Sequence, residues 1–285
     1  MKEFRINFFM LSAKHLLLGI VMIYLHITLI DSIGPHKLAD YYFVTNFIFL
    51  ILPFSSLGLY AIIFRELGKS SYLHLSALVP LLYLAPIVIF ISVCSSIIFM
   101  NFFLSENEIL YEILILIFLN SYAMYASAIF MGMQWRIVYF FFELTGPCLL
   151  LLFVFVNSPQ GVKEILSWTI HITAARIFLA SISIIICAKK NKPIEKDIIC
   201  IKEIPKSIMV NFFSAGFPKS IPLICESALS FQYFYVMMVF WPFYEKLLLF
   251  AQLFNTSIFR LHAISLSKKI YNKRMIIFTQ IAIWI

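Results

Sequence analysis

Long apolar runs separated by short polar segments fill this chain from end to end. The runs predict membrane-spanning helices over 8–30, 41–63, 75–104, 110–131, 137–156, 165–187, 209–238 and 243–262, and a ninth that starts near Met275. Several reach the ~20 residues that a helix rising ~1.5 Å per residue needs to cross ~30 Å of hydrocarbon. Barrel strands are excluded because no polar residue recurs at every second position, as a water-filled lumen would require.

Composition sharpens this picture. Apolar residues make up 62% of the 285 positions and charged residues 13%, too little polar surface to coat a water-soluble globule. The 31 Phe and 14 Tyr suit helices packed in lipid and anchored at its interfaces. A net charge of +8 could signal a nucleic-acid partner, but the basic residues lie in short segments between apolar runs, so no nucleic acid is expected. The five cysteines (Cys94, Cys148, Cys187, Cys200, Cys225) have no CxxC or metal spacing and are expected as free thiols; neither metal nor cofactor is implied. The amino-terminal apolar stretch to Ile30 is too long for a signal peptide and lacks a small-residue cleavage site, so it is the first span.

The same charges orient the chain. With the amino terminus in the cytoplasm, inside segments hold sixteen Lys and Arg, whereas outside loops hold only Lys37, Lys163 and Lys246. Positively charged loops stay inside, so a cytoplasmic amino terminus is expected. The last apolar run, Met275 to Ile285, is too short to cross a bilayer, and the chain is expected to be cut within its ninth helix.

A weak internal echo suggests a repeat. Asn7-Phe8-Phe9 with Lys14 opens the first helix and Asn211-Phe212-Phe213 with Lys219 opens the seventh; Ile63-Phe64-Arg65 and Ile258-Phe259-Arg260 close the two units. Chance matches are common in so Phe- and Ile-rich a chain. Together with the charged stretch from Lys189 to Lys206, the echo points to an all-α, polytopic transmembrane helical bundle. It would comprise a six-helix lobe (1–188), a charged cytoplasmic linker (189–207) and an incomplete second lobe (208–285) repeated in parallel.

Ionisable residues inside spans are the candidates for function, since each costs about 2.5 to 3.5 kcal/mol on insertion scales. They are Lys14, Glu143, Arg176, Lys219 and Glu226. Lys14 lies near enough to the cytoplasmic interface to snorkel, and Glu143 could pair with Arg176 in a purely structural ion pair. The densest cluster is Gly216-Phe217-Pro218-Lys219-Ser220-Ile221-Pro222, with Glu226 a turn beyond. Its two prolines each remove a backbone donor, which predicts a kink or opening there. The competing reading is a packing kink with Lys219 and Glu226 paired. His15, His26 and His171 also fall in spans, where hydrogen bonding and proton relay are both open.

No Gly-rich phosphate loop, GxSxG elbow, HExxH or soluble catalytic domain is present, so no enzymatic activity is expected. The outside loops Asp31 to Asp40 and Ser105 to Glu108 are too short to house an active site.

The stretch Ala39-Asp40-Tyr41-Tyr42 through Leu52-Pro53 and Ser56-Leu57-Gly58-Leu59 to Phe64-Arg65-Glu66 resembles the second helix of the Wzx-type O-antigen and polysaccharide flippases of the multidrug/oligosaccharidyl-lipid/polysaccharide exporter superfamily. Gly132-Met133-Gln134-Trp135-Arg136 is similar to that family's turn after helix four, and the Lys-rich linker also fits. The resemblance spans the chain through loose motifs, and the chain departs from the family's paired six-helix lobes by its shorter second lobe. It implies a bacterial inner-membrane protein, without enzymatic activity, that flips an undecaprenyl-diphosphate-linked oligosaccharide by alternating access, alongside polysaccharide assembly proteins.

Under that resemblance Lys219, Arg176 and Lys14 would face the diphosphate. Arg65 and Arg260 would meet the headgroup at the cytoplasmic face or anchor the interface. Two other readings stand beside it. In a cation-coupled small-molecule exporter of the same superfamily, Glu143 and Glu226 would couple transport to an ion. A membrane-embedded O-antigen polymerase or glycosyltransferase would be expected to expose a sizeable outside loop, and none is visible.

Overall fold

The computed structural model describes residues 2–70, 85–103, 109–188 and 203–228, with single positions 233, 236, 237, 240 and 241. All described elements are helical: α1 (Lys2–Ser55), α2 (Leu59–Ser70), α3 (Ala85–Phe103), α4 (Leu110–Gly132), α5 (Arg136–Asn157), α6 (Val162–Ala188), α7 (Ile204–Asn211), a π segment (Phe212–Gly216) and α8 (Phe217–Ala228). Four stretches, Ser12–Ser55, Leu110–Gly132, Arg136–Asn157 and Val162–Cys187, are long and apolar enough to cross a membrane, and Ala85–Ile98 is a shorter apolar helix. The protein is therefore an all-α helical membrane bundle, as its apolar pattern predicts. Large apolar side chains face outward, among them Phe90, Phe155 and Phe178, as lipid-facing surfaces require.

Helix α1 contains two spans. Its only non-helical residue is Gly34, at φ 76° and ψ 167°, a conformation that side chains with a Cβ rarely adopt. His26 and Tyr42 touch across this point at 2.6 Å with stacked rings. In a straight helix sixteen residues would separate them by about 24 Å, so the arms 2–33 and 35–55 fold back on each other. The predicted loop Asp31 to Asp40 is thus helix on either side of one residue. Pro35 makes so tight a return possible: at the first position of the second arm its missing N–H has no helical partner to lose.

The predicted second span, 41–63, is interrupted at its inner end. Leu57 and Gly58 both adopt positive φ, 52° and 60°. The N–H groups of Leu57 and Gly58 close back on the carbonyls of Phe54 and Pro53, which ends the first helix before α2 begins. The seventh helix begins at Ile204 rather than at 209 and is irregular at its centre. There the Phe217 N–H reaches the Phe212 carbonyl, five residues back. Pro218 removes the N–H that would have bonded the Ser214 carbonyl, inside this π segment. Pro222 lies within α8 and does not end it. The predicted eighth and ninth helices, Arg260 and the second half of the echo lie outside the described residues.

Two apolar cores hold the bundle. One joins both arms of α1 with α4, α5 and α6, through Leu29, Val44, Ile117, Val154 and Ile165. The other joins α2 with α4, α5 and α6, through Leu59, Ile63, Phe130, Phe142 and Ile184.

Candidate functional site

Between the two cores the bundle buries charge. Lys14, on the first arm of α1, is only 5% exposed. Its ammonium donates to the Tyr139 hydroxyl on α5 at 2.9 Å and lies 4.6 Å from the centre of that ring. It points into the bundle and does not snorkel. One turn along α5, the Glu143 carboxylate accepts a hydrogen bond from Ser127 of α4 at 2.5 Å. Glu143 acts electrostatically on both Lys14 and Arg176. On α6, Arg176 donates through Nε and Nη2 to the Phe142 carbonyl, at 2.9 and 2.6 Å, and packs over the Phe142 ring at 4.5 Å.

The expected Glu143–Arg176 ion pair does not form; among the described residues the ion pairs are those of Arg65. The guanidinium fork takes a backbone carbonyl next to Glu143 instead, with both donors on one oxygen. Gly146 makes this geometry possible, since a Cβ there would lie 2.7 Å from Arg176 Nη1. Pro147 follows in α5 and leaves the Glu143 carbonyl without its helical donor.

A cavity of about 190 Å³ opens beside Arg176, between α1, α4, α5 and α6. Thr45 and Phe49 of the second α1 arm, Asn120 of α4, and Thr169 and Thr173 of α6 are among its lining residues. Lys219 of α8 lies 5.4 Å from the centre of the Phe49 ring, so the third predicted cation approaches the same region from another helix. Glu226 lies in α8, and its side chain is outside the described residues.

Arg65 belongs to a different place. Exposed in the middle of α2, it is paired with Glu66 at 2.8 Å and with Glu203 at the start of α7. Glu203, and after it Glu66, holds its guanidinium pKa above the ordinary arginine value. Deeper in the same joint, the Gly58 carbonyl accepts hydrogen bonds from Ser207 and, at 3.2 Å, from Asn211. A Cβ on Gly58 would lie 2.5 Å from the Ile208 backbone nitrogen, so the two chains touch backbone to backbone. The Ser56 hydroxyl beside it is buried without a partner among the described residues.

The structure thus gathers Lys14, Glu143 and Arg176 into one centre, sets Lys219 at its edge and leaves Arg65 apart. The residues that organise the centre, Tyr139, Ser127, Gly146 and the Phe142 carbonyl, were not singled out by sequence. They carry no motif, and their partners lie on other helices. Among the described residues no group of His, Cys, Asp and Glu is arranged to hold a metal. Set against known proteins, the chain matches no family model, no curated protein and no solved structure.

Proposed function

We propose that this protein moves a lipid-linked, diphosphate-bearing oligosaccharide across the bacterial inner membrane, with its amino terminus in the cytoplasm and without enzymatic turnover. The observation that carries the reading is the inward orientation of Lys14 and Arg176. Two cations inside an apolar bundle are costly unless they serve a polar cargo or a paired network. Among the described residues one carboxylate, Glu143, acts on both cations. A positive interior favours an anionic headgroup, and a prenyl tail has a lipid-facing apolar surface on which to remain. Lys219, at the edge of the same region, adds a cation on a helix with a π segment, an irregularity frequent at functional sites.

In this reading Arg176 and Lys219 contact the diphosphate, Lys14 holds the interior positive through Tyr139, and Arg65 steadies the cytoplasmic joint. The test is the double variant Arg176→Gln, Lys219→Gln in a strain whose surface polysaccharide depends on this gene. At unchanged membrane expression, surface polysaccharide is expected to fall below a tenth of wild type, consistent with the loss of two charge-assisted contacts of about 1.5 to 3 kcal/mol each. Wild-type polysaccharide in that strain removes both residues from the substrate path.

A further inference from the structure

The cavity beside Arg176 has a chemistry of its own. A guanidinium carries five N–H donors; two are spent on the Phe142 carbonyl, and the remaining three have no hydrogen-bond partner among the described residues. Thr173, one helical turn before Arg176, is 3% exposed and lines the same cavity. Its hydroxyl likewise has no partner among the described residues, whereas neighbouring Thr169 bonds back to the Ile165 carbonyl at 2.8 Å. These donors, on a part-buried arginine and a buried threonine, border one space and are available to an acceptor placed in it.

Charge points the same way. Among the described residues Lys14 and Arg176 share the single carboxylate of Glu143 at the centre, and a buried cation is stabilised by a counter-charge. The rest of the lining is largely apolar, including Leu25, Ile48 and Leu150. At about 190 Å³ the space is too small for an oligosaccharide diphosphate, whereas a cavity of about 150 Å³ admits a benzene-sized guest. Apolar walls disfavour strongly hydrated ions and favour anions that shed water easily.

We propose that this cavity is a binding site for a small, weakly hydrated monoanion of halide or nitrate size, held by the free N–H groups of Arg176 and the Thr173 hydroxyl. The site lies inside the helices of the first lobe, and the anion compensates the surplus positive charge. This assignment does not depend on the transport reading.

The experiment uses the full chain purified in detergent. Its thermal unfolding midpoint is followed as sodium bromide replaces sodium gluconate at constant ionic strength, gluconate being too large and too strongly hydrated to enter. The expected result is a saturable rise in midpoint with bromide. Thr173→Val, which keeps the shape and removes the donor, is expected to raise the half-saturating bromide concentration about tenfold. Lys163→Gln, at an exposed position, is expected to leave it unchanged. A midpoint indifferent to the exchange, or a bromide response unaltered in Thr173→Val, overturns the site. Arg176→Gln sharpens the result where it folds, by abolishing the response, and Thr173→Val decides alone where it does not.

Discussion

Two of the places where the bundle buries polar groups solve different problems. At the joint between Gly58 and α7, a carbonyl exposed by the end of one helix meets two neutral donors from another, Ser207 and Asn211. At the centre, among the described residues, Arg176 keeps N–H groups without a partner, and two cations share one carboxylate. The core of the joint is neutral and its donors serve a backbone need, which is what a purely structural contact requires. The centre sets two cations against one carboxylate among the described residues, and ionisable groups kept at such expense in lipid are the candidates for function.

Substitutions at the two places should therefore behave differently. The largest effect is expected at Gly58→Ala, because a Cβ would meet the Ile208 backbone at 2.5 Å and the residue sits at φ 60°. Neither problem has a flexible side chain to absorb it, so a loss of about 3 kcal/mol or more is expected, read as a collapse of the unfolding midpoint in detergent. Survival with an unchanged midpoint would break the idea that this joint is a close backbone contact. Next comes Tyr139→Phe, which leaves the Lys14 ammonium buried without its oxygen acceptor. A cost of about 2 kcal/mol is expected, and under the proposed function surface polysaccharide falls further than stability alone accounts for. Proportional losses of both would make the centre as structural as the joint.

The smallest effect belongs to Arg65→Gln. Its ion pairs are exposed to solvent, where screening and side-chain entropy leave such pairs about 0.5 kcal/mol or less. That variant should lie within error of wild type in stability at ordinary salt. A large loss would show that the exposed edge of the joint, rather than its Gly58 core, holds α2 to α7.

The sequence made the helices and the buried charges legible because both follow from solvent. Apolar length marks a span, and an ionisable residue within it stands out against lipid. Lys14, Glu143 and Arg176 were found this way. Their partners were not, because a tyrosine such as Tyr139 or a serine such as Ser127 in a span has no distinctive signal, and which helix faces which is decided by packing.

Helix interruptions were legible only in kind. The polar stretch Asp31 to Asp40 signals a break, but not that a single residue, Gly34, suffices for the return. Pro218 and Pro222 signal an irregular seventh helix, and the irregularity falls in the turn before Pro218 because a proline disturbs the carbonyl four residues earlier. At Leu57-Gly58 the glycine was quoted only as part of a resemblance, and its role in ending a helix against Ile208 emerges from three dimensions alone.

The one-residue return at Gly34 carries a consequence for handling the protein. A hairpin with so little slack offers no external linker in which a peptide tag, a glycan acceptor or a protease site could be housed without prying apart the His26–Tyr42 stack. Topology reporters inserted between the first two spans should for that reason be poorly tolerated, and labels are better placed at the exposed corner near Gln160, where α5 hands over to α6.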